Sequence, residues 1–132
     1  MCGIVSYYGK KNSVPFLING LRRLEYRGYD SSGIAYMLDN DLKVIKQSGK
    51  VDLLEKNTPK KLRSNISMGH TRWATHGGVT DSNAHPHSNE DGTITIVHNG
   101  IIENAPELLE RIVNLGYVVE SETDSEVIVH LI

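Results

Sequence analysis

The chain has 132 residues, with 14 Lys and Arg against 16 Asp and Glu and a formal charge of −2, which fits one small domain or part of a larger one. That balance, with a pI near 6.3, excludes a broad basic footprint for nucleic acid or anionic lipid, and no run of about 18 apolar residues exists to span a bilayer as a helix. A single cysteine excludes an intrachain disulfide framework and a multi-thiolate zinc site.

Residues 3–8 form a short β-branched and aromatic run ended by Gly9, which predicts a buried strand. From Ser13, the residues Val14, Leu17, Ile18, Leu21 and Leu24 recur at helical spacing, with Gly28 as the stop. Residues 34–38 and 42–45 flank Asp39-Asn40-Asp41 and predict a hairpin. The basic stretch 56–63 is broken by Pro59 and reads as a solvated loop. Residues 66–73 and 93–101 are further strand candidates, joined by a long connection rich in Gly, His and Asn; a connection of that length is usually functional or mobile.

Asn104 with Glu107, and Pro106 in the first turn, opens a helix whose apolar face is Leu108, Ile112 and Leu115, closed by Gly116. A second box, Thr123 with Glu126, starts a helix that buries Val127, Ile128 and Leu131. It stops at Ile132 without a cap, so the chain reads as cut within a domain. No internal repeat or Gly/Ser linker divides it, and the pattern is mixed α and β. Nothing at the N-terminus resembles a basic segment followed by a long apolar one, so no secretory signal is expected.

Cys2 follows the initiator Met and becomes the first residue if Met1 is removed. A terminal Cys carries a thiol beside a free α-amine whose pKa of about 7.7 to 8.0 suits a base near neutrality, so one residue supplies both nucleophile and base for attack on an acyl carbon. The plainer alternative is a small buried residue at a strand end.

His98-Asn99-Gly100 offers an amide and a backbone N–H free of a neighbouring Cβ, which are donors for an oxyanion; Asn-Gly is equally a common turn. Residues 69–78 place Arg72, Trp73, Thr75 and His76 before two glycines. Arg72 suits a carboxylate held by its fork, and the glycines suit a lid, against the alternative of a surface loop. Asp124, in the first turn of the last helix, either answers the helix dipole or pairs with a substrate ammonium. His85-Pro86-His87 invites a metal reading, but no His-Glu-x-x-His helix or third-ligand spacing supports one.

These stretches occur together and in order. They are Met-Cys-Gly-Ile-Val at 1–5, Arg-Arg-Leu-Glu-Tyr-Arg-Gly-Tyr-Asp-Ser-Ser-Gly at 22–33, Gly-His-Thr-Arg-Trp-Ala-Thr-His-Gly at 69–77, Asn-Ala-His-Pro-His at 83–87, His-Asn-Gly-Ile-Ile-Glu-Asn at 98–104 and Ser-Glu-Thr-Asp-Ser-Glu at 121–126. The whole chain resembles the front of the glutaminase domain of the glucosamine-6-phosphate synthase family, whose members are N-terminal-nucleophile amidotransferases.

The resemblance implies an α+β fold of the N-terminal-nucleophile hydrolase type, a four-layer α/β/β/α sandwich with antiparallel sheets, incomplete here. It implies glutamine hydrolysis through a γ-glutamyl thioester on Cys2, with Asn99 and Gly100 as the oxyanion hole. Arg72 would bind the α-carboxylate of L-glutamine with Thr75 and His76, Asp124 its α-ammonium, and Trp73 would sit in the closing loop. Arg27 and His85 would support the site.

No cofactor and no metal are implied, and neither nucleic acid nor membrane is a partner. The missing partner is the isomerase domain of the same enzyme, the fructose 6-phosphate site, in a cytoplasmic full-length protein that forms a homo-oligomer. The rival expectations are an inactive truncated fragment that folds only with another chain, and a metallohydrolase built on the His cluster.

Overall fold

A computed structural model describes residues 1–132. Six strands and four α-helices follow in the order β1 (Gly3–Tyr8), α1 (Val14–Leu24), β2 (Ser31–Leu38), β3 (Asp41–Ser48), α2 (Val51–Asn57), β4 (Ile66–Arg72), β5 (His87–Ser88), β6 (Thr95–Ile96), α3 (Ala105–Asn114) and α4 (Glu126–Leu131). The main sheet has the order β1-β4-β2-β3 with every pair antiparallel. A two-stranded ribbon, β5-β6, forms a second, smaller sheet.

Alternation along the strands divides the main sheet into two faces. One face carries Val5, Tyr7, Ile34, Tyr36 and Ile45 and packs on α1 and α2. Leu17, Leu21, Val51 and Leu54 are fully buried there, and each such side chain contributes roughly 1.5 to 3 kcal/mol relative to exposure. Arg22 ties the two helices at their surface, donating to Asp52 at 3.1 Å and Glu55 at 2.6 Å.

The opposite face carries His70 and Gly33, which lie across from each other in the β2-β4 register. Residues 83–87 cover it, and the carbonyl oxygen of His85 lies only 2.1 Å from where a Cβ on Gly33 would stand. Glycine at 33 is therefore required for the second layer to approach this closely.

The hairpin is longer than the apolar runs predict, because pairing extends from Ser31–Ser48 to Leu38–Asp41. Asp39 and Asn40 both have positive φ, 52° and 67°, as a tight two-residue turn with the strands' own twist requires. Residues 51–57 are helical, although the sequence reading assigned no helix there, and the basic stretch 56–63 buries Leu62 in the helix-side core.

Of the predicted strand 93–101 only Thr95–Ile96 pairs. Residues 98–100 leave the ribbon, with the His98 N–H donated to the ring of His85 at 3.4 Å rather than to a neighbouring strand. Both predicted capping boxes fail. Asn104 and Ser125 occupy the caps without side-chain bonds, and the Glu126 carboxylate instead accepts the N–H groups of Glu120 at 2.9 Å and Ser121 at 2.7 Å. Burial pushes the Glu126 carboxyl upward, but donation from Ser121 Oγ and these two N–H groups outweighs it and leaves its pKa below the ordinary value.

Val127 and Val129 are buried in α4, while Leu131 is exposed. On α3 only Ile112 is buried, with Leu115 in solvent. No helix is long and apolar enough to cross a membrane.

Candidate active site

Cys2 immediately precedes β1. Because β1 pairs with β4 from Gly3 opposite Thr71, the chain just before β1 lies beside the end of β4. The Trp73 N–H donates to Cys2 Sγ at 3.1 Å, and the thiol lies 3.6 Å from the Trp73 carbonyl oxygen. The sulfur is thus oriented by backbone and only partly buried. The amine of Met1 donates to the Arg27 carbonyl at 2.7 Å, so with Met1 present the nitrogen of Cys2 is a peptide nitrogen. Gly28, with φ of 107°, turns the chain after Arg27 and lets the Trp73 ring lie against its backbone.

A cavity of about 550 Å³ opens at Cys2. All ten residues singled out in the sequence line it: Cys2, Arg27, Arg72, Trp73, Thr75, His76, His85, Asn99, Gly100 and Asp124. They come from six separate stretches of chain, and the fold brings every one of them together. Trp73 is 52 % exposed, at the rim.

Arg72 ends β4 and is 3 % exposed. Its guanidinium donates to the carbonyls of Gly78 at 2.8 Å, Gly77 at 3.5 Å and His76, and its Nη1 is 3.8 Å from Asp30 Oδ1. Both terminal nitrogens therefore hold the loop after β4, Nη1 also faces Asp30, and the residue lines the cavity. Asp30 Oδ2 accepts the Ala74 N–H, so one carboxylate steadies both the cation and the loop.

Asp124 is also held. Its Oδ2 accepts the Ile102 N–H at 2.7 Å, while Ser125 Oγ lies 3.0 Å from His98 Nδ1. The loop at 76–83 is clamped to this segment by Glu122, whose Oε2 accepts from the Gly78 N–H at 3.0 Å and the Asn83 amide at 2.8 Å. These two donors hold the Glu122 carboxyl below its usual range.

Beneath the cavity three imidazoles stack. His70 and His85 lie face to face with centroids 4.2 Å apart, and His87 meets His85 edge-on at 4.4 Å. Burial lowers the pKa of His70 to about 4 and that of His87 to about 3, and drives His85 lower still, so all three are neutral near pH 7. No three His, Cys, Asp or Glu side chains are grouped as a metal site.

Sequence reading missed Asp30, His70, Asn83 and Glu122. All four lie inside the quoted stretches, but their work is to hold other residues, which only the three-dimensional contacts reveal.

The model of the glutamine amidotransferase domain matches residues 57–132. Over 133 aligned residues the chain is 54 % identical to glutamine–fructose-6-phosphate aminotransferase (isomerizing) of Clostridium tetani and to that of Thermus thermophilus, with 100 % of this chain covered. It spans 22 % of the length of these curated relatives.

Two solved structures share the fold. Glutamine phosphoribosylpyrophosphate amidotransferase of B. subtilis superimposes with a TM-score of 0.82 at 25 % identity, over 99 % of this chain and 29 % of that one. A structure described as the allosteric regulatory enzyme of purine biosynthesis does so with 0.83 at 27 %, over the same shares. The α+β fold is thus that of the N-terminal-nucleophile amidotransferases, and the chain belongs to the glutamine amidotransferase domain family.

Proposed function

We propose that this chain is the front part of a glutaminase domain that hydrolyses the side-chain amide of L-glutamine through a thioester on Cys2. The observation that carries the reading is the convergence of the Cys2 thiol, the Asn99-Gly100 donors, Arg72 and Asp124 on one cavity.

Glutamine is a zwitterion at its α-carbon. Arg72 takes the α-carboxylate, helped by Thr75 and His76, and Asp124 takes the α-ammonium, which leaves the side-chain amide over Cys2. Removal of Met1 frees the Cys2 amine, which accepts the thiol proton. The sulfur attacks the amide carbon, the oxyanion forms against the Asn99 amide and the Gly100 N–H, and ammonia departs carrying the proton back from the amine. Water then hydrolyses the γ-glutamyl thioester and returns the thiol. Trp73 and the loop behind it cover the cavity during these steps, and Arg27 and His85 support its walls. The chemistry needs no cofactor.

In the full-length protein the ammonia passes to an isomerase domain that converts fructose 6-phosphate to glucosamine 6-phosphate, the first step toward amino sugars. The names and lengths of the relatives support this extension, and the full-length protein is read as a cytoplasmic homo-oligomer.

A diazoketone analogue of glutamine tests the reading. It should alkylate Cys2 in chains that have lost Met1 and spare chains that retain it, both resolved by intact mass. Equal alkylation of the two forms rules out the terminal amine as base, and Cys2→Ser retaining full ammonia release rules out the thioester.

A further inference from the structure

Asn99 is a primary amide, and only one of its two orientations serves an oxyanion. With Nδ2 toward the cavity it donates; turned over, it presents a carbonyl oxygen to a developing negative charge. The two orientations have nearly the same shape, so packing alone does not choose between them.

What distinguishes them is a neighbour with a fixed donor. His70 on β4 is fully buried, and its Nε2 lies 2.6 Å from Asn99 Oδ1. The ring is held in place by the stack on His85, whose backbone passes over Gly33. Its other nitrogen, Nδ1, is buried with no partner. A neutral imidazole carries one N–H. On Nδ1 that proton would be a desolvated donor with no acceptor in the interior, and two lone pairs would face each other at Nε2. On Nε2 it meets the Asn99 oxygen, and the bare Nδ1 is left only as an unfilled acceptor.

We infer that His70 is a positioning residue for amide hydrolysis: its Nε2–H binds Asn99 Oδ1 and thereby holds the Asn99 Nδ2 donors toward the cavity. The inference rests on the glutaminase reading above. The rest of the stack serves the same segment. His85 Nδ1 accepts the His98 N–H, so the proton of His85 is on its Nε2, and the His98 ring joins Ser125 beside Asp124. Neutrality of the stack keeps an extra positive charge from forming next to Arg72, and burial, the main cause of the lowered His70 pKa, secures it.

The test uses the full-length enzyme with Met1 removed. In His70→Leu the apolar side chain fills the space without a donor, and in His70→Gln an amide N–H is returned at about the reach of Nε2. His70→Leu should lower kcat for ammonia release from glutamine about a hundredfold, in line with loss of one oxyanion donor, with KM changed less than about twofold. His70→Gln should recover kcat to within about tenfold of the parent. Equal loss in both variants, an unchanged kcat in His70→Leu, or a change confined to KM overturns the assignment.

Alkylation of Cys2 by iodoacetamide forms no oxyanion and should proceed at the parent rate in both variants, whereas a slowed reaction means that the thiol itself has moved and overturns a role confined to Asn99. A parent enzyme that releases no ammonia from glutamine sinks the glutaminase reading instead, and the imidazole can still be examined. Nitrogen-15 shifts of His70 in the unsubstituted protein at pH 7 report the proton directly. A neutral ring protonated on Nε2 supports the proposal, and one protonated on Nδ1, or on both nitrogens, overturns it.

Discussion

Asn83 and Glu122 exchange two hydrogen bonds: the Asn83 amide donates to Glu122 Oε2 at 2.8 Å, and Asn83 Oδ1 accepts the Glu122 N–H at 2.8 Å. The same amide donates to the Gly78 carbonyl at 3.0 Å. One buried side chain thus joins the loop after β4 to the segment that carries Asp124. Asn83→Ala leaves the Glu122 N–H without an acceptor and removes one of two donors each from the Gly78 carbonyl and Glu122 Oε2, and it should destabilise the chain by about 1 to 3 kcal/mol in urea unfolding. It should also raise the KM for glutamine, since Asp124 lies two residues beyond Glu122.

Arg72→Lys replaces a planar fork by one ammonium. Lysine cannot hold the carbonyls of residues 76–78 and a substrate carboxylate together. Steady-state kinetics should show KM for glutamine raised tenfold or more with a smaller fall in kcat. An unchanged KM would confine Arg72 to holding the loop.

Gly33→Ala drives a Cβ to 2.1 Å from the His85 carbonyl oxygen and 3.0 Å from that of Ile45. Both obstacles are backbone, so relief requires the two layers to part. A cost of about 3 kcal/mol, or roughly 10 °C in Tm, is expected. The His70–His85 stack should loosen as well, with ammonia release falling further than stability alone explains.

Acid should weaken the fold through the imidazoles. His70 and His87 have folded-state pKa values of about 4 and about 3, against 6.5 when exposed. The unfolded chain therefore binds more protons below pH 6.5, and stability falls as pH drops from 6.5 toward those values. For His70 alone the loss is of the order of 3 kcal/mol. The Glu126 carboxyl, whose pKa is lowered in the fold, adds its own loss below about pH 4.5. Thermal melts between pH 7 and 4 should show the midpoint falling throughout, and a flat profile would mean that the stack is solvated.

The periodic elements were legible from the residues alone. Val14, Leu17, Ile18 and Leu21 mark α1 because a helix must bury one stripe, and the Asp39-Asn40 turn marks the hairpin because few residues take positive φ cheaply. The stretch 93–101 was not legible, since its apolar residues have strand character but residues 98–100 bond to His85, the His70 ring and the Asp124 segment instead of pairing in a ladder. The short α2 escaped because seven residues hold too few turns for a period to emerge.

At the site, residues with distinctive chemistry, such as Cys2, Arg72 and Asp124, announced themselves. His70 and Asn83 did not, because an imidazole or an amide becomes a support only through what lies within 3 Å of it.

The order of synthesis has its own consequence. Cys2 leaves the ribosome at the very start, but β1 finds its partner only when residues 66–72 of β4 have been made, and the cavity is closed only after Asp124 and Ser125 are joined. Until β4 is made β1 is an unpaired edge, and until residue 73 is made the thiol lacks Trp73. The growing chain therefore carries its most reactive group unprotected until at least residue 73 has been made, and contact of Cys2 with Trp73 is an event by which arrival at the native state can be timed.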